Sequence, residues 1–539
     1  MKRGVLFCIV AAFVVLHAQQ SDLGRIAFPT SGSAAAQPAF IHGVLLLHSF
    51  EYDDAIAAFR EAERIDPSFA MAYWGEAMCY SQPLWGNENV EKARDALTRS
   101  LARERRNAPP VTARERAYLD AVGQLFGPGD RLARTQMYAS RMLQLTRAYP
   151  NDDEAAAFYA LSLLATIPPA QPNPDVSFRA GAIASAILRR NPEHPGAAHY
   201  ALHAYGGGEH PAMGLKAARI YARIAPASSH ARHMPSHIFL PLGMWDEAAA
   251  SDESAFAASV ARAQAQGLSA AQQDFHSLSW LQYEYLQQGR FVKARQALEP
   301  VRLALSSANA ANHASHVESE IGRGFGPLSL TNELASMRAR LVVESGRWTD
   351  MTGQGTFDNV DELFALGLAS AKLDDVARAA AALEHMGNAK AAAPDPDNRQ
   401  LAEIMELEVD GALKAARGDV GAALASLKQA AALEARRPRP TARPYPIKPA
   451  GEFYAETLLA AGRAQDAVAQ FRASLARTPR RAASLIGLAR AAAKAGLQAE
   501  ARRAARELVK MWHAADADRP ELADAQRIST ANFDLPSRK

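Results

Sequence analysis

The chain has 539 residues, 22% of them charged, and a formal net charge of +3. That length can bury a large core, and so nearly neutral a chain gives no general case for nucleic acid or a membrane surface as partner. Its two cysteines, Cys8 and Cys79, exclude a disulfide framework and a zinc knuckle, so stability must come from packing.

The chain opens with MKRGVLFCIVAAFVVLHAQQ. A basic start, an apolar run too short to span a bilayer easily and a small residue at Ala18 read as a signal peptide over 1–18, with a mature chain from about Gln19. This predicts a periplasmic or secreted protein, and no later stretch is long and apolar enough for a transmembrane segment. Beyond it, apolar residues recur at helical spacing, separated by short turns, and strand-like alternation is rare. FIHGVLLLHSFEYDDAIAAFREAERIDP carries Gly43, Tyr52, Ala55, Phe59, Ala62 and Pro67, the small, aromatic and proline positions of a tetratricopeptide (TPR) helix-turn-helix. A G-x4-A turn recurs at Gly243/Ala248, Gly289/Ala294, Gly418/Ala423, Gly462/Ala467 and Gly496/Ala501, the last two glycines one 34-residue TPR period apart.

The expected fold is therefore all-α, a TPR-type α-solenoid of stacked helical hairpins with insertions. Residues 36–300 read as an N-terminal and central array, and 301–435 as helical repeats with irregular loops, one near 305–317. Residues 436–450 read as a Pro/Arg-rich linker, 451–515 as a C-terminal TPR pair and 516–539 as a tail. Cys79, in AMAYWGEAMCY, reads as a buried, inert thiol.

Histidine is sparse, yet seven of the 15 (His194, His199, His203, His210, His230, His233 and His237) fall between 194 and 237, where uniform scatter would place about one. His199 to His233 and His203 to His237 are each 34 residues, so the pairs occupy equivalent places on neighbouring repeats. Each pair is also i, i+4, on one helix face. The spacing predicts a two-by-two patch at His199, His203, His233 and His237. His230 and His276, each 13 residues before a turn glycine, lie at its edge. Counting from Gly243 puts 230, 233 and 237 on the groove side of their helix, whereas counting from Pro226 turns them toward the packing face; the nearer glycine is the preferred anchor. Pro235 either starts a helix or kinks one, and Pro195 suits a first helical position with His194 just outside it.

The chain resembles exported bacterial TPR proteins with a histidine-rich central segment. The segments that carry this resemblance are HSFEYDDAIAAF, DPSFAMAYWGEAM, HPGAAHYALHAY, HARHMPSHIFLPLGMWDEA, DFHSLSWLQYEYLQQGR, GEFYAETLLAAGRAQDA and SLIGLARAAAKAGLQAEA. The resemblance implies a fold and an exported address but no reaction, and Gly206-Gly207-Gly208 departs from the turn it leads one to expect.

Three chemistries suit the patch: structural histidines hydrogen-bonded in a polar interior, a metal site, or acid–base work without metal. An all-nitrogen set on His199, His203, His233, His237, His230 and His276 suits a transition metal (Cu, Zn, Ni or Fe) rather than calcium or magnesium. Glu193, Glu209 and Asp274 are near enough in sequence to orient imidazoles. There is no HExxH, P-loop, dinucleotide fingerprint, haem motif or serine elbow. The sequence thus predicts a scaffold that binds a peptide, protein or other ligand in its concave groove. The alternative is a metal-dependent enzyme, a hydrolase or an oxidoreductase, with no nucleophile or base identified.

Overall fold

A computed structural model describes residues 22–104, 110–168, 171–207, 210–311, 327–352, 357–391 and 396–531. The signal peptide at 1–18, Glu209 and the end of the 305–317 stretch lie outside them. The described residues are almost wholly helical, with one two-stranded antiparallel pair, β1 (Ser81–Gln82) and β2 (Asn87–Glu88). No described helix is long and apolar enough to cross a membrane. The chain forms two compact units. Among the described residues, unit 1 holds those from 22 to 238 and 254–264; unit 2 holds 239–253, 265–311 and those from 327 to 531.

In unit 1 the hairpin α1 (Gln37–His48) and α2 (Tyr52–Ile65) is followed by α3 (Ala70–Cys79), α4 (Val90–Glu104), α5 (Ala113–Leu125), α6 (Arg131–Ala148), α7 (Asp153–Ala165), α8 (Pro174–Arg190), α9 (Pro195–Gly206), α10 (Leu215–Ile224) and α11 (Ser229–His233). Nearly all pack on the next, the nearest-neighbour arrangement of an α-solenoid, except that α5 packs back on α3 rather than on α4. The TPR residues show why. Phe59, fully buried on α2, lies so close to Gly43 and Gly75 that a Cβ on either would come within 2.8 and 2.2 Å of its ring. The aromatic ring on the second helix fills the space that two first helices leave open by lacking a side chain.

The short α12 (Ser236–Phe239) and α13 (Trp245–Ala265) each contribute residues to both units. Unit 2 continues with α14 (Phe275–Gln287), α15 (Phe291–Gln296), α16 (Leu298–Ala311), α17 (Pro327–Ser345), α18 (Val360–Lys372), α19 (Val376–Ala391), α20 (Pro396–Ala416) and α21 (Val420–Ala435). After the helix-free segment 436–449 come α22 (Ala450–Ala460), α23 (Ala464–Arg477), α24 (Ala482–Lys494), α25 (Gln498–Met511) and α26 (Pro520–Thr530). Phe471 and Gly487 repeat the Phe59–Gly75 device at the same 16-residue spacing, a Cβ there meeting the ring at 2.2 Å.

Three local expectations are corrected. The stretch near 305–317 is helical as far as Ala311, because its alanines favour helix more than its serines and asparagines favour a loop. The stretch from 516 is not simply a tail: α26 buries Ala525 and Ile528 in the unit 2 core. In the Pro/Arg-rich segment the prolines do exclude helix. It is nevertheless no solvated run, because Ile447 is fully buried and Arg340 donates to the Pro444 carbonyl at 2.9 Å.

Candidate histidine centre in unit 1

The elements that carry the histidines are short and sharply capped. Pro195 opens α9, and His194 just before it accepts the Ala197 N–H through Nδ1 at 3.2 Å, so His194 is itself the cap. Ser228 caps α11 by accepting from the Ala231 N–H at 3.0 Å. Pro235 falls between α11 and α12, so the chain breaks there rather than kinking within one helix.

This break changes the predicted patch. Instead of a two-by-two square, the structure brings together His199, His203 and His230, whose ligand nitrogens lie within 4.8 Å of one another. His199 Nε2 is 3.0 Å from the Nε2 of His203 and 3.0 Å from that of His230. His233 and His237 form a neighbouring pair with Nε2 atoms 3.0 Å apart. The rings of the two sets approach to 6.3 Å (His203–His237) and 6.4 Å (His230–His233). His230, expected at the edge, is thus in the centre. His276 belongs to unit 2, where it is exposed and its ring lies 5.5 Å from Trp280. His199 and His233 are buried, while His203, His230 and His237 are half-buried. The row is thus partly buried and partly open, and the Pro235 break means that 230 and 233 lie on a different helix from 237.

The hydrogen bonds of His199 define its chemistry. A carbonyl oxygen only accepts, so its Nδ1–H donates to the His48 carbonyl at 2.6 Å. Nε2 is then a single in-plane position facing two other nitrogens at 3.0 Å. One lone pair, or one proton, cannot serve two such neighbours. Metal–imidazole bonds of about 2.0–2.1 Å at angles between right and tetrahedral would hold ligand nitrogens about 2.9–3.4 Å apart. The two separations from His199 fall in that range. Burial, with His233 nearby, pushes His203 down to about 3, so it is neutral and able to offer a lone pair.

Beneath this centre lies a second cluster that the sequence did not reveal. His48, Glu154 and His194 are all fully buried. His48 Nε2 meets Glu154 at 2.7 Å, its Nδ1 meets the Tyr200 hydroxyl at 2.8 Å, and its ring stacks on Phe158. His194 Nε2 lies 3.2 Å from the same carboxylate. Burial pushes the Glu154 carboxyl up, but the two imidazoles outweigh it and bring it down to about 2. Donation from His48 Nε2–H and acceptance at Nδ1 from Tyr200 fix one neutral tautomer. The ring is thereby immobilised, and the carbonyl of the same residue holds His199. His194 belonged to the histidine run, but His48 and Glu154 are 106 residues apart and no spacing rule links them.

The acidic neighbours expected from sequence act otherwise. Glu193 is exposed beside Arg25, and Asp274 caps α14 through the Ser277 N–H at 3.0 Å. Cys79 is buried, its thiol donating to the Gly75 carbonyl at 3.2 Å, and burial pushes it well above the ordinary thiol range.

Comparison with known proteins finds no matching family and no matching curated protein. Among solved structures, the chain is similar to the Cut9–Hcn1 heterotetramer of the APC/C (12% identity, TM-score 0.33, covering 90% of this chain and 82% of that one). It is also similar to the human IFIT1 dimer with PPP-AAAA (13%, 0.34, 93% and 94%) and to the TPR domain of P58(IPK) (15%, 0.20, 70% and 98%). At these scores the likenesses carry no argument about function, and the all-α TPR-type solenoid rests on the hairpins, turn glycines and aromatic–glycine packing described above.

Proposed function

We propose that this protein is a ligand-binding TPR-type scaffold that carries a transition-metal centre in unit 1. His199, His203 and His230 are its ligands, and His233 and His237 an adjoining donor pair. The observation that carries this reading is the single Nε2 position of His199 facing two imidazole nitrogens at 3.0 Å. A cation bound by all three lone pairs satisfies every ring, whereas hydrogen bonds among them satisfy one contact at a time. The His48 carbonyl on His199 Nδ1 is the kind of outer support that fixes which nitrogen is offered. Three nitrogen ligands with two of the rings half-buried leave room for a further ligand, water or substrate, as in metal sites that do chemistry. Such a centre would serve a hydrolase or an oxidoreductase.

The scaffold part of the reading draws support from unit 2. A cavity of about 470 Å³ there is lined by Phe291, Trp348, Lys372, Phe453 and Trp512 among others, a size suited to a small ligand or a peptide side chain. Export belongs to the same proposal and rests on the N-terminal sequence alone.

Metal analysis of untagged protein tests it. Wild type should contain at least one equivalent of a transition metal, and His199→Ala should lose most of it while retaining its helical content. Replacing His233 and His237 together separates a one-ion centre, whose content stays the same, from a two-ion centre, whose content halves. Absence of stoichiometric metal from the wild type after reconstitution with Zn²⁺, Cu²⁺, Ni²⁺ and Fe²⁺ would leave the histidines a structural role only.

A further inference from the structure

The turn between α1 and α2 has the same backbone as the other hairpin turns but not the same residue. At Gly243, Gly289, Gly418, Gly462 and Gly496 the chain takes φ between 67° and 81°. In each, the glycine N–H bonds to the carbonyl three residues back, and the next N–H to the carbonyl five residues before it. This is the left-handed close of a helix that glycine enters freely. In the first hairpin the position is Phe50, with φ 59°. Its N–H bonds to the Leu47 carbonyl at 3.1 Å and the Glu51 N–H to that of Leu46 at 3.0 Å. Ala55 follows five residues on, as an alanine follows each turn glycine. A bulky side chain is rare at positive φ, because its Cβ crowds the backbone.

What the ring gains there is the histidine centre. Phe50 is buried, with its centroid 4.3 Å from His199, 5.7 Å from His203 and 5.6 Å from His230, and nearly parallel to the last two. Its other neighbours are Tyr52, stacked at 5.5 Å, and Trp85, edge-on at 5.4 Å. All three imidazoles whose nitrogens converge thus touch one rigid ring, and the left-handed turn is what aims it.

We propose that Phe50 is a positioning residue of the metal centre: the first hairpin gives up the turn glycine so that an aromatic wall can fix the planes of His199, His203 and His230. The inference rests on the metal reading above. An outward-facing non-glycine residue at the equivalent turn, Asp374 (φ 60°), shows that the fold tolerates the strain without any such wall.

Cobalt(II) titration, followed by its visible absorption spectrum, tests the proposal on the full chain. Phe50→Gly relaxes the turn and removes the wall. It should keep the helical circular dichroism, bind Co²⁺ about tenfold or more weakly, and give a shifted spectrum. Phe50→Tyr keeps the ring, which lines a cavity of about 30 Å³, and should retain the wild-type spectrum. Asp374→Gly, which removes the same strain without touching a histidine, should leave affinity and spectrum unchanged. Should Phe50→Gly not fold, Phe50→Leu keeps apolar bulk without a planar face, and a shifted spectrum is again expected. Wild-type cobalt affinity and spectrum in a folded Phe50→Gly, or in Phe50→Leu, overturns the proposal while leaving the metal reading intact. Wild-type protein that takes up no cobalt overturns both, which distinguishes the two failures.

Discussion

Each unit buries a polar network, and the two are made of opposite materials. In unit 2 the network centres on Arg481, 1% exposed, which donates to Glu452 at 2.8 and 3.0 Å, to Glu344 at 2.8 Å and to the Tyr283 hydroxyl at 3.2 Å. Ser484 and Lys448 add donors to Glu452 at 2.5 and 3.0 Å. In unit 1 the network beside the candidate site is made of imidazoles around one carboxylate, Glu154, with a second set of imidazoles above. A guanidinium carries five donors and no acceptor, so a network built on it can tie elements together but offers nothing to a cation. A neutral imidazole always keeps one lone pair. The contrast teaches that burial of polar groups alone does not mark a site. What marks unit 1 is imidazole nitrogens converging on one another, His199 Nε2 lying 3.0 Å from both His203 Nε2 and His230 Nε2.

The largest effect that tests this contrast is in unit 2. Arg481→Met should leave Glu452 and Glu344 buried without their main partner and destabilise the protein by about 3–5 kcal/mol, read from chemical denaturation. Metal content measured before unfolding should not change. Loss of metal in Arg481→Met, with helix content intact, would break the division between a structural network and a binding one.

Acid should take the two networks apart in different windows. Burial pushes Glu452 up, but Arg481 and Lys448 outweigh it and bring it down to about 2. A carboxyl depressed on folding stabilises above its unfolded value, near 4.3, and this contribution is lost as pH falls from there through about 2. Metal, by contrast, must compete with protons for imidazoles, a competition centred near pH 6.5 for unperturbed rings. Because burial holds His203 down to about 3, metal release should stretch from the ordinary imidazole range toward acid rather than finish by pH 5, with metal content and circular dichroism followed together against pH. Glu408 offers the converse control: fully buried, it is pushed well above the usual carboxylate range by burial and by Glu434. A raised carboxyl costs stability as pH rises above its unfolded value, so Glu408→Gln should stabilise the protein at pH 7 by about 1–3 kcal/mol, with the gain shrinking toward pH 4.

Much of the fold was readable because its signals are local. Gly43, Phe59 and the G-x4-A turns each report a contact made within one or two hairpins, so their spacing carries the geometry. The 34-residue interval relates 199/203 to 233/237 for the same reason, and the His203 and His237 rings lie 6.3 Å apart. It did not place His230 against His199, because Pro235 splits the segment into two short helices and the register no longer runs on. The support beneath the site, His48 and Glu154, left no trace in the sequence: it joins helices far apart in the chain, and neither residue type is unusual where it stands. Phe50 was hidden differently. It occupies a turn position that pattern reading looks for as glycine, and only the backbone angle shows that the turn is the same.

That last point gives the smallest and most specific prediction. Asp374 and Phe50 both close a hairpin in the left-handed region, and the two differ in what the side chain does there. Asp374 is exposed and tolerates this conformation better than most residues, since a short polar side chain can bond locally. Asp374→Gly removes the Cβ crowding but adds freedom to the unfolded chain, two effects of similar size and opposite sign. The net change should be a stabilisation of under about 1 kcal/mol, measurable as a small rise in denaturation midpoint with an unchanged slope. Phe50→Gly should go the other way in the same assay, because the relief of strain is outweighed by loss of a buried ring, about 3–5 kcal/mol for a phenylalanine. A stabilised Phe50→Gly would mean that the ring contributes little to packing, so strain at this turn would be retained for the site alone. Equal destabilisation of both variants would mean that the left-handed turn is not where either residue's cost lies.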